Sequence, residues 1–179
     1  SLLTLLNMEK IQAHITGQII FSNTSEAHAL YQKSCFGEEK SGRIQYSLPE
    51  ALFLVEKEKM EILSKNKKIP KNELMNKLKK IDNKIQIKYP VFRDLREKGY
   101  VVKTALKFGA DFRIYDKGHK PGTQHAKWVV FTDYESGRLT WQEFSAKNRV
   151  AHSTKKNLLL AIVDEEGDIT YYEVKWVKP

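Results

Sequence analysis

The stretch FRIYDKGHKPGTQHAKWVVF, residues 112–131, sets the fold of the second half of the chain. Two β-rich runs, ADFRIY (110–115) and AKWVVF (126–131), enclose a polar segment that contains two glycines and a proline. Such runs, bounded by turn residues, predict antiparallel strands joined by a loop. Tyr115 ends the first strand and His125 follows the loop, so both side chains can face the same open space at a sheet edge.

A second informative stretch is FSAKNRVAHSTKKNLLLAIVD, residues 144–164. Thr140 and Glu143 stand at the spacing of a capping box, which predicts a helix that ends near Ser153. The apolar run after it predicts a strand buried on both faces. Lys156 lies between helix and strand, where its stem has a rigid base, but spacing does not show whether it points toward the loop that ends at His125.

The rest of the second half contains patterns that predict one more helix and more strands. YPVFRDLREKG (89–99) reads as a short helix with a proline near its start and a glycine at its end. YVVKTALK (100–107) reads as a strand. NLLLAIVD and DITYYEVKWV predict a hairpin across the acidic turn Glu165-Glu166-Gly167.

The patterns in the first half of the chain predict short strands that alternate with helices. A turn at Thr16-Gly17 predicts a hairpin. Asn23 and Glu26 predict a capping box for a helix that stops at Gly37. The other predicted elements of this half are the strand RIQYS (43–47), a helix opened by Ser47, Pro49 and Glu50, and the strand MEIL (60–63).

The lysine-rich segment from Lys57 to Lys88 resembles a nucleic-acid-binding arm at first sight. Its apolar residues recur at helical spacing in PKNELMNKLKKIDNKI (70–85), so most of these lysines are expected on the solvent face of an amphipathic helix. The pattern changes near residue 85, which suggests a domain boundary. We therefore predict a mixed α/β protein with an N-terminal domain (1–84) and a C-terminal catalytic domain (85–179) whose mixed sheet is flanked by helices.

Composition describes a globular protein with a polyanionic partner. The chain has 179 residues, 41% of them hydrophobic, and its formal charge of +9 favours nucleic acid as that partner. The single cysteine, Cys35, excludes an internal disulfide and is expected to be a buried thiol. The opening SLLTLLNM is apolar but lacks the basic flank and cleavage site of a signal peptide, and no long apolar run follows, so a cytoplasmic protein is expected.

Tyr115, His125 and Lys156 together offer a phenol, an imidazole and an ammonium. Metal-free RNA cleavage by transesterification needs a base for the 2′-hydroxyl, an acid for the leaving 5′-oxygen and a cation for the phosphorane. An imidazole with a pKa near ~6.5 suits either proton transfer, whereas a phenol near ~10 needs a nearby cation to act as a base. The residues alone leave the roles of the tyrosine and the histidine interchangeable.

The combination of a tyrosine, a proline and HA-x-aromatic, followed by R-x-A-H-S-x-x-K and an apolar strand, resembles the tRNA splicing endonucleases of archaea and eukaryotes. The resemblance is strongest from Asp111 to Val163. It implies that Tyr115 is the general base, His125 the general acid and Lys156 the transition-state stabiliser, and that no cofactor is needed.

The same resemblance implies a substrate and an assembly. The substrate is precursor tRNA with a bulge-helix-bulge, and the products carry 2′,3′-cyclic phosphate and 5′-hydroxyl ends. Arg149 and Trp176 match a clamp that stacks on a flipped-out base. The acidic loop Asp164, Glu165, Glu166 and Asp168 matches a loop that docks into another subunit, and a homotetramer is implied.

Two alternatives remain open. Glu173 and Lys175 form an E-x-K motif, and with Asp164 and Asp168 they could support a metal-dependent nuclease. A noncatalytic RNA-binding subunit of the same assembly would keep the fold and lack part of the Tyr, His and Lys set. A zinc site is disfavoured, because there is one cysteine and His119, His125 and His152 have no ligand spacing.

Overall fold

The contacts of the chain separate it into two units, one ending at Gln86 and one beginning at Ile87. The structure is a computed structural model that describes residues 9–179. The opening SLLTLLNM, on which the signal-peptide argument partly rests, lies outside the described residues. Each unit contains a mixed sheet and helices, so the predicted fold class is confirmed.

The N-terminal unit is built on a sheet with the order β3-β4-β2-β1-β5-β6. The predicted hairpin at Thr16-Gly17 is confirmed, with Gly17 in the left-handed region at φ 60°. β1 pairs in parallel with β5, and the chain reaches β5 through α2. The strands are β1 Ile11–Thr16, β2 Ile19–Ser22, β3 Glu38–Lys40, β4 Arg43–Tyr46, β5 Met60–Ser64 and β6 Lys67–Lys68; the helices are α1 Ser25–Ser34, α2 Leu48–Glu56 and α3 Lys71–Lys79.

The first helix begins and ends differently from the prediction. Its N-cap is Thr24, whose Oγ1 accepts a hydrogen bond from Ala27 N at 3.3 Å, so the box assigned to Asn23 and Glu26 is wrong. The Ser22 hydroxyl lies 3.1 Å from Thr24 Oγ1 and helps to place this cap. The helix ends at Ser34, its C-cap Cys35 lies in the left-handed region, and the Cys35 thiol is buried as expected. The capping box of Ser47 and Glu50 is confirmed at the start of α2.

The predicted continuous helix over residues 70–85 is wrong, because α3 ends at Lys79. Asp82 makes the break: its Oδ1 accepts a hydrogen bond from Lys84 N at 2.9 Å, and its carbonyl accepts one from Ile85 N at 3.1 Å. A new helix, α4, starts at Ile85, earlier than predicted, and Pro90 lies inside it. The asparagine and aspartate side chains between the two helices favour a turn over helix continuation.

The C-terminal unit has a sheet with the order β11-β10-β9-β8-β7. β7, β8 and β9 form an antiparallel meander, and β10 returns through α5 to pair in parallel with β9. The capping box of Thr140 and Glu143 is confirmed at the start of α5. The elements are α4 Ile85–Glu97, whose first two residues precede the division between the units, β7 Val101–Ala105, β8 Ala110–Tyr115, β9 Trp128–Tyr134, α5 Trp141–Ser153, β10 Asn157–Val163 and β11 Ile169–Val174, with a 3₁₀ turn at Leu106–Phe108.

The two faces of this sheet carry different helices. On one face Phe112 contacts Phe92 of α4 at a ring-centroid distance of 5.9 Å. On the other face Ala151 of α5 packs with Val129 and Leu158 in a buried cluster. The predicted flanking helices are therefore confirmed.

The prediction that β10 is buried on both faces holds fully for one face, and on the α5 face it holds for Leu158 alone. Leu159, Ala161 and Val163 are buried, whereas Leu160 and Ile162 on the α5 face are only partly buried. The described helices leave this end of the α5 face partly open. None of the helices in residues 9–179 combines the length and apolarity needed to cross a lipid bilayer.

Candidate active site

A cavity of about 330 Å³ in the C-terminal unit brings together the side chains that the sequence singled out. Tyr115, His125 and Lys156 all line it. They come from the end of β8, the position after the following loop and the connection between α5 and β10, so three separate segments build the site. The residues that complete the lining are Phe108, Arg113, Gly122, Thr123, Gln124 and Ala126.

Tyr115 and His125 owe their positions to the pairing of β8 with its neighbours. Tyr115 is 6% exposed and lies opposite Val101 of β7. His125 is exposed, but Ala126 beside it is buried and Lys127 N donates to Ile114 O at 2.8 Å. The chain is therefore anchored directly after the histidine, while the imidazole itself stays open to solvent.

The loop between them, residues 116–124, is held by its own polar groups. Asp116 accepts hydrogen bonds from Lys117 N at 2.9 Å and from Lys127 Nζ at 3.3 Å. The backbone hydrogen bond from Lys117 is the main cause, and the bond from Lys127 the next, of a lowered Asp116 pKa. At the other end, Gln124 Oε1 accepts from Lys120 N at 2.8 Å. Gln124 is itself part of the cavity lining.

Lys156 is oriented by the way α5 ends. Lys155 adopts a left-handed φ of 56°, and Lys156 N donates to Ala151 O at 2.8 Å. The ammonium then folds back, and its Nζ donates to Thr154 O at 2.9 Å. Burial lowers the pKa of Lys156, and the positive charge of Arg113 lowers it further.

Two lining residues were missed in the sequence. Arg113 lies two residues before Tyr115 in β8, and alternation along a strand places both side chains on one face. That alternation was a usable signal for Arg113. Phe108 lies in the 3₁₀ turn before β8, and the local sequence carries no signal that would bring its ring to Lys156.

Arg149 and Trp176 do not line the cavity. Arg149 is exposed on α5, and Trp176 is 61% exposed near the end of the chain. Trp176 contacts His152, with ring centroids 4.3 Å apart and planes at 76°. His152 follows Arg149 by three residues and so lies on the same side of α5. The tryptophan is thereby brought toward the helix face that carries Arg149.

The acidic loop between β10 and β11 is compact and exposed. Asp164 Oδ1 accepts hydrogen bonds from Glu166 N and from Asp168 N, both at 2.9 Å. Carboxylate oxygens of Asp164, Glu166 and Asp168 lie within 4.8 Å of one another, so in the described part of the chain they are the group that could hold a hard cation. Glu165 stands beside them and is also exposed.

Glu173 does not join those acids. Its carboxylate accepts hydrogen bonds from Asn157 Nδ2 at 3.0 Å and Trp128 Nε1 at 3.2 Å, and it lies 3.1 Å from Lys175 Nζ. The hydrogen bond from Lys175 is the main cause of its lowered pKa. Since a strand rises about 3.4 Å per residue, the five steps from Asp168 to Glu173 separate them by roughly 17 Å. The geometry therefore does not assemble the metal site considered from the sequence.

Comparison with known proteins agrees with the resemblance seen in the sequence. Residues 12–75 match the family described as tRNA intron endonuclease, N-terminal domain, and residues 85–171 match tRNA intron endonuclease, catalytic C-terminal domain. A tRNA-splicing endonuclease of Thermococcus kodakarensis is 41% identical over 166 residues, which cover 92% of this chain and 97% of the relative.

Two further tRNA-splicing endonucleases show similar agreement. The protein of Pyrococcus horikoshii is 39% identical over 169 residues, which cover 94% of this chain and 97% of the relative. The protein of Methanothermobacter thermautotrophicus is 40% identical over 156 residues, which cover 87% of this chain and 91% of the relative. The chain therefore belongs to the tRNA-splicing endonucleases of archaea, the enzymes that excise introns from tRNA, and carries both the N-terminal and the catalytic C-terminal domain of that family.

Proposed function

We propose that this enzyme cleaves precursor tRNA at bulge-helix-bulge sites by metal-independent transesterification, with Tyr115, His125 and Lys156 as its catalytic residues. The observation that carries the proposal is the single cavity lined by all three side chains. A phenol, an imidazole and an ammonium around one open space are the groups that this reaction requires.

The proposed reaction is an in-line displacement at the scissile phosphorus. Tyr115 accepts the proton of the 2′-hydroxyl, and the 2′-oxygen forms a bond to phosphorus. The bond from phosphorus to the 5′-oxygen breaks, and His125 donates a proton to that oxygen. Lys156 stabilises the extra negative charge on the phosphorane oxygens. The products are a 2′,3′-cyclic phosphate and a 5′-hydroxyl.

The charges in the cavity support these roles. Lys156 and Arg113 both line it, and a pair of cations favours a phosphate there. Positive charge beside a phenol favours the phenolate, which is the form that accepts a proton. His125 is exposed at the mouth, where an imidazole can exchange its proton with water between turnovers.

Base recognition is proposed to fall to Arg149 and Trp176. Both side chains are exposed, and flat guanidinium and indole groups stack on any base. Stacking without base-specific hydrogen bonds suits an enzyme that recognises the shape of an RNA bulge.

Self-association into a homotetramer is the last part of the proposal. Two features of the C-terminal unit support it: the exposed acidic loop from Asp164 to Asp168, and the partly open apolar face with Leu160 and Ile162 beside the 55%-exposed Tyr172. A loop of acids on a protein of net charge +9 has complementary surface available on a second copy. A monomer by light scattering at micromolar concentration would contradict this assembly.

The test of the chemistry uses an end-labelled bulge-helix-bulge RNA in excess EDTA. Cleavage with cyclic phosphate and 5′-hydroxyl ends is expected for the wild type and for His119→Ala, which removes an exposed loop imidazole outside the cavity lining. Lys156→Gln should abolish most of the activity. Cleavage that appears only after Mg²⁺ is restored would contradict the mechanism.

A further inference from the structure

We propose that Phe108 is a positioning residue that holds the Lys156 ammonium in place for RNA cleavage. The inference rests on the proposed function, because it gives Phe108 a role only through Lys156. It starts from a contact within the cavity: Lys156 Nζ lies 5.4 Å from the centroid of the Phe108 ring. This distance is within the range of a cation–π interaction.

Lys156 is held from two directions. Its Nζ donates one hydrogen bond to Thr154 O at 2.9 Å, and the Phe108 ring stands over it. A lysine ammonium has three donors on a flexible four-carbon stem, so one hydrogen bond alone does not fix its direction. The carbonyl and the ring together restrict the ammonium and leave donors for a phosphate.

The ring also opposes two unfavourable influences on the charge. Burial and Arg113 both lower the pKa of Lys156 and so disfavour the protonated form that the reaction needs. The negative face of an aromatic ring favours the cation. The other titratable groups that line the same cavity are Tyr115 and His125.

Phe108 itself is held firmly enough to do this. It ends the 3₁₀ turn Leu106–Phe108, and Gly109 follows with a left-handed φ of 68° that turns the chain into β8. Phe108 packs against the buried cluster that contains Val129 and Leu158, whereas Leu106 of the same turn is 74% exposed. The ring thus has the hydrophobic core behind it and the ammonium in front of it.

The test compares Phe108→Leu with Phe108→Tyr under single-turnover conditions. Leucine keeps the apolar packing and removes the ring, so we expect the cleavage rate at saturating RNA to fall about threefold to tenfold, with RNA affinity unchanged within twofold. Tyrosine keeps the ring and should stay within about twofold of the wild type. The alkaline limb of the rate profile should move to lower pH in Phe108→Leu, because the ammonium has lost a stabilising contact.

Phe131→Leu is the matched control. Phe131 packs against the same buried cluster and also has a lysine over its ring, with Lys147 Nζ 4.2 Å from its centroid, but it does not line the cavity. Its replacement should lower the melting temperature as Phe108→Leu does and leave the cleavage rate of the folded enzyme unchanged.

A double-mutant cycle with Lys156→Gln separates positioning from general structure. If Phe108 acts through Lys156, then adding Phe108→Leu to the Lys156→Gln variant should lower its cleavage rate by less than twofold. An equal rate loss in both backgrounds, or an equal loss for Phe131→Leu, would overturn the inference. If Lys156→Gln itself cleaves like the wild type, the proposed function fails first.

Discussion

Replacing Tyr171 with phenylalanine should weaken the C-terminal unit by removing one hydrogen bond between β11 and α4. The Tyr171 hydroxyl donates to Asp94 Oδ2 at 2.6 Å. A hydrogen bond to a charged group contributes about 1.5–3 kcal/mol. Three observations favour a value below that range. Tyr171 and Asp94 are both partly exposed, and Asp94 retains its ion pair with Lys98, whose Nζ lies 2.7 Å from Oδ2. The phenylalanine ring also remains beside the Lys98 ammonium.

We therefore expect Tyr171→Phe to lower the free energy of unfolding by about 1 kcal/mol at pH 7. With a typical urea dependence of about 2 kcal/mol per molar, the midpoint should fall by about 0.5 M. The assay is tryptophan fluorescence, because all three tryptophans, Trp128, Trp141 and Trp176, lie in the C-terminal unit.

The same substitution has a predicted pH dependence. Burial, and then the hydrogen bond with Asp94, raise the pKa of Tyr171 in the folded protein. Its contribution to stability is therefore complete below the ordinary tyrosine pKa of about 10 and is lost as the pH rises above it, because the unfolded chain ionises first. The difference between wild type and variant should shrink from pH 9 to pH 11.

Tyr134→Phe is the control, since the Tyr134 side chain at the end of β9 is 47% exposed. It should change the unfolding free energy by less than about 0.5 kcal/mol. A Tyr171→Phe protein as stable as the wild type, or a deficit that grows above pH 10, would refute the reasoning.

Further substitutions test the site and the assembly. His125→Ala should slow cleavage about 10²-fold to 10⁴-fold and retain RNA binding in a gel-shift assay, because it removes a proton donor; unchanged cleavage would remove His125 from the mechanism. Thr140→Ala should lower the melting temperature, since Thr140 Oγ1 accepts from Glu143 N at 3.2 Å, while Thr140→Ser should not; equal stability of the two variants would argue against the cap. Neutralising Glu165 and Glu166 with glutamine should reduce the particle mass measured by light scattering, and an unchanged mass would separate this loop from subunit docking.

Several predictions that the structure confirms rest on contacts between residues that are close in sequence. The capping boxes of α2 and α5 involve side chains three residues apart, and both are present. The hairpin of β10 and β11 was predicted from two strand-like runs on either side of an acidic turn, and it also forms as predicted. Tyr115 and His125 could be predicted to lie near the same open space because a single loop joins them.

Prediction failed where a distant neighbour or a competing side chain decides. The cap of α1 is Thr24 because the Ser22 hydroxyl, fixed by a hydrogen bond to Gln12 O at 2.6 Å, lies beside it. Asp82 ends the helical register that the apolar spacing favours. The ring of Phe108 reaches Lys156 only after β8, β9 and β10 have paired, so no local pattern announces it.

The parallel pairing of β9 with β10 has a consequence for how activity is lost. Tyr115 and His125 belong to a meander whose contacts are close in sequence, whereas Lys156 joins them through the crossover that contains α5. Detachment of the β10–β11 hairpin would leave the proposed acid and base in place and remove the proposed transition-state stabiliser, Lys156. On heating, such a molecule would stop cutting RNA while most of its secondary structure persisted, so inactivation would precede unfolding and be reversed by re-pairing a single strand.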